Sequence, residues 1–134
     1  MEITGRCYCG QVRYRAAGEP AMRAQCHCRE CQYISGGAAV LIMGMPVDGF
    51  QYTQGNAKGF TRSDIPRPVT REFCPNCGTH LTTRVPGVPL VFVKIGTLDD
   101  PSVFRGPEVV LYTIDQQPWH LIPEGVPSFS RTPG

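Results

Sequence analysis

This chain of 134 residues has no long apolar segment and carries little charge. Its longest apolar run, residues 38–45 with one glycine, is far shorter than the roughly 20 residues that a membrane-spanning helix needs. The N-terminal residues are polar and do not resemble a secretory leader, so we expect a cytoplasmic protein without a membrane partner. The net charge is only +2 and the basic residues are scattered, so we expect no nucleic-acid partner.

Several common catalytic arrangements are also missing. The sequence shows no phosphate-binding glycine loop, no pair of carboxylates placed for acid–base work and no Ser/His/Asp arrangement. Asp99 and Asp100 stand before a proline, which is typical of a turn. Of the three histidines, His27 should face away from its neighbouring cysteines, and we expect His80 and His120 to be packing or surface residues.

The composition favours an all-β fold with many turns. Glycine (15) and proline (13) make up about a fifth of the chain, which suits short strands better than a helical bundle. We predict one domain over residues 1–134, a helical turn over 28–34, a loop or weak hairpin over 45–56 and an irregular tail over 118–134. Apolar alternation or short apolar runs predict strands at 11–16, 39–43, 58–62, 69–73, 81–85, 90–95 and 109–113.

Seven cysteines are the most informative feature of the sequence. In a reducing compartment, dense cysteines favour metal binding over disulfides, and an odd number cannot all pair. Cys74 and Cys77, followed by Gly78, have the form of a zinc knuckle. Cys7 and Cys9 could direct both sulfurs to one metal if they lie in an extended strand.

The cysteines can be divided between metal sites in two ways. In the first, Cys7, Cys9, Cys74 and Cys77 form a closed structural site, and Cys26, Cys28 and Cys31 form a second site. In the second, the pair Cys28/Cys31 joins the pair Cys74/Cys77 as in a zinc ribbon. The 42 residues between Cys31 and Cys74 (32–73) far exceed the usual ribbon loop of about 15–20 residues, which favours the first division.

A site made of Cys26, Cys28 and Cys31 would leave a fourth metal position for chemistry. Three thiolates reduce the acidity of a bound water, so such a site suits an incoming thiol better. Arg29 and Arg71 each neighbour a cysteine and are candidates for holding a substrate carboxylate, besides balancing thiolate charge. The alternatives are a second structural metal and an oxidisable cluster without metal.

The cysteine motifs together resemble the glutathione-dependent formaldehyde-activating enzyme family, also called the centromere protein V type. The resemblance covers about residues 7–129. It is carried by Cys7-x-Cys9-Gly10, by Cys26-His27-Cys28-x-x-Cys31, by Arg71-x-Phe73-Cys74-x-x-Cys77-Gly78, by Gly96-Thr97-Leu98-Asp99 and by Pro118-Trp119.

The resemblance implies a β-tent-like zinc domain of short antiparallel sheets. It implies two zinc ions per chain, a structural one on Cys7, Cys9, Cys74 and Cys77 and a second on Cys26, Cys28 and Cys31. The implied reaction joins glutathione and formaldehyde to S-hydroxymethylglutathione, the work of a carbon–sulfur lyase. Members commonly carry a histidine in the strand before the Pro-Trp segment. The corresponding stretch of this chain, residues 107–111, contains no histidine. A non-catalytic zinc-stabilised binding module and a zinc or redox sensor are the alternative functions.

Overall fold

A computed structural model of the chain describes residues 1–133 and is built mainly from β-strands. One short helix, α1 (Arg29–Ser35), ends at Gly36, whose positive φ of 81° suits a left-handed helix cap. The ten strands are β1 (Glu2–Arg6), β2 (Arg13–Ala17), β3 (Met22–Cys26), β4 (Val40–Pro46), β5 (Phe50–Gln54), β6 (Lys58–Thr61), β7 (Thr70–Phe73), β8 (His80–Arg84), β9 (Leu90–Lys94) and β10 (Val109–Leu111).

The strands form two sheets. The smaller sheet has the order β1-β2-β5, and the larger has the order β10-β3-β4-β9-β8-β7-β6. Within residues 1–133 the paired strands are antiparallel, except that β10 runs parallel to β3. The all-β prediction is therefore confirmed, with a larger sheet than short antiparallel units suggest. Among residues 1–133, no helix is long and apolar enough to cross a membrane.

The main core lies between the two sheets. Tyr14 and Ala16 point into it from β2, and Met43 and Met45 point into it from β4. Alternation along a strand explains this pattern, because successive side chains face opposite sides of the sheet. Gly5 on β1 has to be a glycine, since a Cβ there would lie 2.4 Å from the ring of Tyr14.

A second, smaller core lies on the outer face of the large sheet. It joins Ala24 and Cys26 of β3 to Val40 of β4, Leu111 of β10 and Cys31 of α1. After residue 115 the described chain contains no helix or strand. The backbone of this C-terminal segment is nevertheless hydrogen-bonded to β10. Val110 N–H donates to Pro127 O, and Phe129 N–H donates to Val110 O.

Three strands were absent from the sequence prediction. The segment 2–6 has too few apolar residues to be recognised, whereas the segment 22–26 alternates apolar and polar residues and was overlooked. The segment 45–56, expected to be a loop or a weak hairpin, contains β5, which pairs with β2. β1 pairs with the neighbouring β2, whereas β3 pairs with β10 and β5 with β2 across long stretches of sequence, and such distant pairing is invisible to a local pattern.

Candidate metal centres

Four cysteines meet at one end of the main core. Cys7 and Cys9 come from the turn after β1, and Cys74 and Cys77 come from the turn after β7. Their four Sγ atoms all lie within 4.8 Å of one another. The predicted extended conformation of residues 7–9 is wrong, because this segment forms a turn closed by a hydrogen bond from Gly10 N–H to Cys7 O. The turn still brings the two sulfurs together.

The sulfur spacing in this first cluster suits zinc. Two sulfurs bound tetrahedrally at about 2.3 Å from one zinc lie about 3.8 Å apart. The Sγ atom of Cys9 lies 3.6 Å from that of Cys7 and 3.8 Å from that of Cys74. A soft four-sulfur set of this shape fits zinc better than magnesium or calcium, which bind oxygen.

Hydrogen-bond donors surround these sulfurs. Val12 N–H donates to Cys7 Sγ at 3.3 Å, and the side-chain amide of Asn76 donates to Cys9 Sγ at 3.4 Å. The Thr79 hydroxyl lies 3.2 Å from Cys77 Sγ, and hydrogen bonding by Thr79 lowers the pKa of the Cys77 thiol to about 5. Such donors stabilise the thiolate form, which is the form that binds a metal.

Three further cysteines meet where β3 leads into α1. Cys26 is the last residue of β3, Cys28 is the N-cap of α1 and Cys31 lies in its first turn. Their three Sγ atoms lie within 4.8 Å of one another, and those of Cys28 and Cys31 are 2.8 Å apart. The Sγ atom of Cys28 also accepts the Cys31 backbone N–H at 3.2 Å. The seven cysteines are thus brought together as four plus three, and the zinc-ribbon grouping does not occur.

One thiol of the second cluster is strongly acidic. Hydrogen bonds from Cys26 and Cys31 lower the pKa of Cys28 to about 3. The same pairing raises the pKa of Cys26 to about 11, with its hydrogen bond to Cys28 as the main cause, and it also raises the pKa of Cys31. Hydrogen bonds from the two neighbouring thiols therefore stabilise the thiolate form of Cys28.

The two candidate arginines lie in different surroundings. The Arg29 guanidinium stacks over the exposed ring of Tyr33, 5.2 Å from its centroid, and bonds to Gln32. Arg71 lies on β7, pairs with Glu30 of α1 at 3.3 Å and helps to lower the pKa of Cys28. Of the two, Arg71 is therefore the one placed beside the thiol cluster.

The histidines lie outside both cysteine clusters. His27 is fully buried, and its Nδ1 lies 3.0 Å from Nδ1 of His120, whose Nε2 donates to Gly37 O at 2.7 Å. Gln25 bonds both His27 and the carbonyl of Leu121, so this chain of contacts holds the tail against the Cys26–Cys28 loop. His80 lies beside Phe73, and burial lowers its pKa.

Sequence reasoning missed two residues beside the thiol cluster, Lys94 and Thr83. Lys94 is buried in β9, and its Nζ donates to Thr83 Oγ1 at 2.7 Å. Burial lowers the pKa of Lys94 to about 8, while the thiols of Cys31, Cys26 and Cys28 act in the opposite direction. A signal for Lys94 was present in the sequence, since it is the only charged residue in the apolar stretch 90–95.

The fold and the two cysteine clusters define a small all-β protein that could hold two metal ions, with sulfur sets compatible with zinc. The chain belongs to the glutathione-dependent formaldehyde-activating enzyme family, whose model matches residues 2–115. Membership associates the chain with formaldehyde activation that depends on glutathione.

Two individual proteins are similar to this chain. A protein of Halomonas elongata, provisionally named a glutathione-dependent formaldehyde-activating enzyme, is 28% identical over an alignment of 128 residues that covers 88% of this chain and 78% of that protein. A crystal structure of a Rhodobacter sphaeroides protein superposes with a TM-score of 0.59 at 18% identity, covering 72% of this chain and 88% of that one. At this identity the second similarity concerns the fold alone.

Proposed function

We propose that the chain is a zinc-dependent carbon–sulfur lyase or synthase that acts on a thiol adduct, of the type formed from glutathione and formaldehyde. The observation that carries the proposal is the cluster of Cys26, Cys28 and Cys31, which supplies three sulfurs and leaves one tetrahedral position for a ligand from outside. The other four cysteines would hold a structural zinc, so we expect two zinc ions per chain.

Zinc bound at the three-cysteine site would supply one piece of chemistry, which is to lower the pKa of an incoming thiol and hold it as a thiolate. The chain's own residues would position the substrate. Arg71 is nearly buried, with 13% of its side chain exposed, and its single carboxylate partner is the half-exposed Glu30. Because Glu30 is half-exposed and can return to water, Arg71 could exchange Glu30 for a substrate carboxylate at little cost.

The direct test is NMR exchange spectroscopy of formaldehyde and glutathione with the zinc-loaded protein. We expect the wild type to accelerate the exchange, and we expect Arg71→Gln to raise KM for glutathione about tenfold, the loss of one charge-assisted contact. Arg29→Gln is the matched control and should leave KM unchanged, because Arg29 is occupied by Tyr33 and Gln32. A fully loaded wild type that does not accelerate exchange would reject formaldehyde as the substrate.

A redox or zinc sensor is the second candidate, and the distance between Cys28 and Cys31 favours it. Their sulfurs are 2.8 Å apart, and Cys28 has a depressed pKa at a helix N-terminus, as reactive cysteines often do. A sensor should form a Cys28–Cys31 disulfide and release its metal under mild oxidant, which mass spectrometry would detect. A cluster that stays reduced and metal-bound would argue against this role.

A further inference from the structure

Lys94 is a buried cation without a carboxylate partner. Its side chain lies in the middle of the large sheet, the residue is only 8% exposed, and none of the six ion pairs found among residues 1–133 includes it. Burying an isolated ammonium group is costly unless nearby groups compensate its charge. The chain contains only one other lysine, Lys58, which is exposed on β6.

Lys94 faces the same side of the sheet as the three-cysteine cluster. Val91 and Val93 point into the main core, so Lys94 must point to the opposite, outer face. Its pairing partner on β4 is Ile42, and Ile42 pairs with Ala24 on β3, two residues before Cys26. The strand register thus places the ammonium group and the thiols on one face, and interaction with the three thiols raises the pKa of Lys94 against the larger effect of burial.

Thr83 connects Lys94 to Arg71 and retains a hydrogen to donate. Its Oγ1 accepts from Lys94 Nζ at 2.7 Å and from an Arg71 guanidinium N–H at 3.4 Å. A hydroxyl has two lone pairs and one hydrogen, so its O–H is left for another acceptor. Within residues 1–133, Thr83 Oγ1 serves only as an acceptor. Two cations and one polarised hydroxyl therefore converge beside the thiols.

The proposed reaction produces a negative oxygen next to these sulfurs. When a thiolate attacks an aldehyde, its lone pair forms the C–S bond and the carbonyl π electrons move to oxygen, which becomes an alkoxide. The alkoxide then takes a proton from water, which returns the proton that the thiol had released. A site that fixes cations and donors at the developing oxyanion accelerates such a step.

We propose that Lys94 and Thr83 form an oxygen subsite that binds the aldehyde oxygen and stabilises the alkoxide formed by thiolate attack. This inference depends on the proposed function and goes further, because it assigns Arg71 to the thiol substrate's carboxylate and Lys94 to the reacting oxygen. Lys94 would supply the charge and Thr83 the hydroxyl hydrogen, so both residues would contact the reacting oxygen.

The first test measures binding and needs no turnover. Cobalt(II)-loaded protein is titrated with thioglycolate and with ethanethiol, and the sulfur-to-cobalt charge-transfer band reports thiol binding. Of the two thiols, only thioglycolate carries a carboxylate on the carbon that bears sulfur. We expect the wild type to prefer thioglycolate by about tenfold, as one charge-assisted hydrogen bond allows. Lys94→Met should abolish the preference, whereas Lys58→Met should retain it. A preference that survives Lys94→Met, or that is absent from the wild type, would overturn the subsite.

A second binding variant separates Lys94 from its neighbours. Thr83→Val keeps the lysine but removes the hydroxyl, and it should reduce the preference for thioglycolate while leaving ethanethiol affinity unchanged. If Arg71→Gln abolishes the preference and Lys94→Met does not, the oxygen site belongs to Arg71 and the proposal is wrong. Circular dichroism and the cobalt band intensity with ethanethiol verify that each variant is folded and loaded.

The second test measures turnover. In the exchange assay, Lys94→Met should lower kcat by about a hundredfold, the usual effect of removing an oxyanion donor, while KM for glutathione changes less than twofold. Lys94→Arg should recover part of the rate. A raised KM with unchanged kcat would show that Lys94 binds the thiol substrate's own carboxylate, against the proposal. A wild type inactive with formaldehyde would refute the proposed function, and the cobalt titrations would still decide the oxygen subsite.

Discussion

At the scale of single residues, Cys28 has two tasks that can be separated. It caps helix α1 by accepting the Cys31 N–H, and it is the most acidic thiol of the three-cysteine cluster. Serine is a good N-cap residue but a poor zinc ligand. The substitution Cys28→Ser therefore keeps the local backbone interaction while removing the thiolate.

The first residue-scale prediction compares Cys28→Ser with Cys77→Ser. We expect metal content to fall from about two zinc ions to about one in Cys28→Ser, with far-UV circular dichroism unchanged. Cys77→Ser should unfold the chain, because a structural zinc contributes on the order of 10 kcal/mol. Metal content is measured by inductively coupled plasma mass spectrometry. Loss of the fold in both variants would contradict an open second site.

At the scale of elements, a polar network joins the two sheets across one end of the core. Glu72 on β7 accepts from Tyr52 Oη of β5 at 2.9 Å, from Thr82 Oγ1 at 2.7 Å and from Arg84 Nε at 3.1 Å. Burial alone would raise the pKa of Glu72, but the bonds from Thr82, Tyr52 and Arg84 outweigh it, so the pKa lies below its ordinary value. Tyr52 and Phe50 also pack against the main core.

The second prediction concerns Glu72→Gln. A lowered pKa means that the charged form stabilises the fold above the ordinary pKa of 4.5, and that this contribution disappears as the pH falls through the folded-state pKa. At pH 7 the variant should lose about 1–3 kcal/mol of the free energy of unfolding. Below about pH 4 the difference from the wild type should shrink.

The control for this prediction is Glu2→Gln. Glu2 forms an ion pair with Arg15 in which both side chains are largely exposed, so its removal should cost no more than about 0.5 kcal/mol. Urea denaturation at each pH gives both values. Both proteins lose thiolate ligands alike in acid, so their difference isolates the carboxylate. If the difference in the free energy of unfolding between the wild type and Glu72→Gln did not depend on pH, the charge of Glu72 would not contribute to stability.

At the scale of the whole molecule, the four-cysteine cluster lies where the two sheets meet. Cys7 and Cys9 lie at the end of a strand of the small sheet, and Cys74 and Cys77 lie in the large sheet's β7–β8 connection. Cys7 and Cys74 are also part of the main core. The three-cysteine cluster, by contrast, lies on the outer face, where the fold does not depend on it to close the core.

The third prediction follows from this difference in position. A chelator at pH 7 should remove metal in two phases, with the outer site emptied first and the β-sheet signal retained. Loss of the second metal should coincide with loss of the fold, because metal binding at a core site is linked to folding. A zinc-sensitive dye and circular dichroism, recorded together, give the order. Release of both metal ions in a single phase that parallels unfolding would contradict the idea that the four-cysteine site stabilises the fold and that the outer site is independent of it.

The sequence by itself determined the all-β class, the helical turn after Cys28 and the grouping of the cysteines as four plus three. These depend on residues close in sequence, or on counting and loop length, and both are local information. Tertiary structure alone decided the pairing of β3 with β10 and of β5 with β2, the choice of Arg71 over Arg29 and the position of Lys94 beside the thiols. The physical reason is strand register. A shift by one residue would turn Lys94 into the core, and only the contacts of β9 with β4 and β8 set that register.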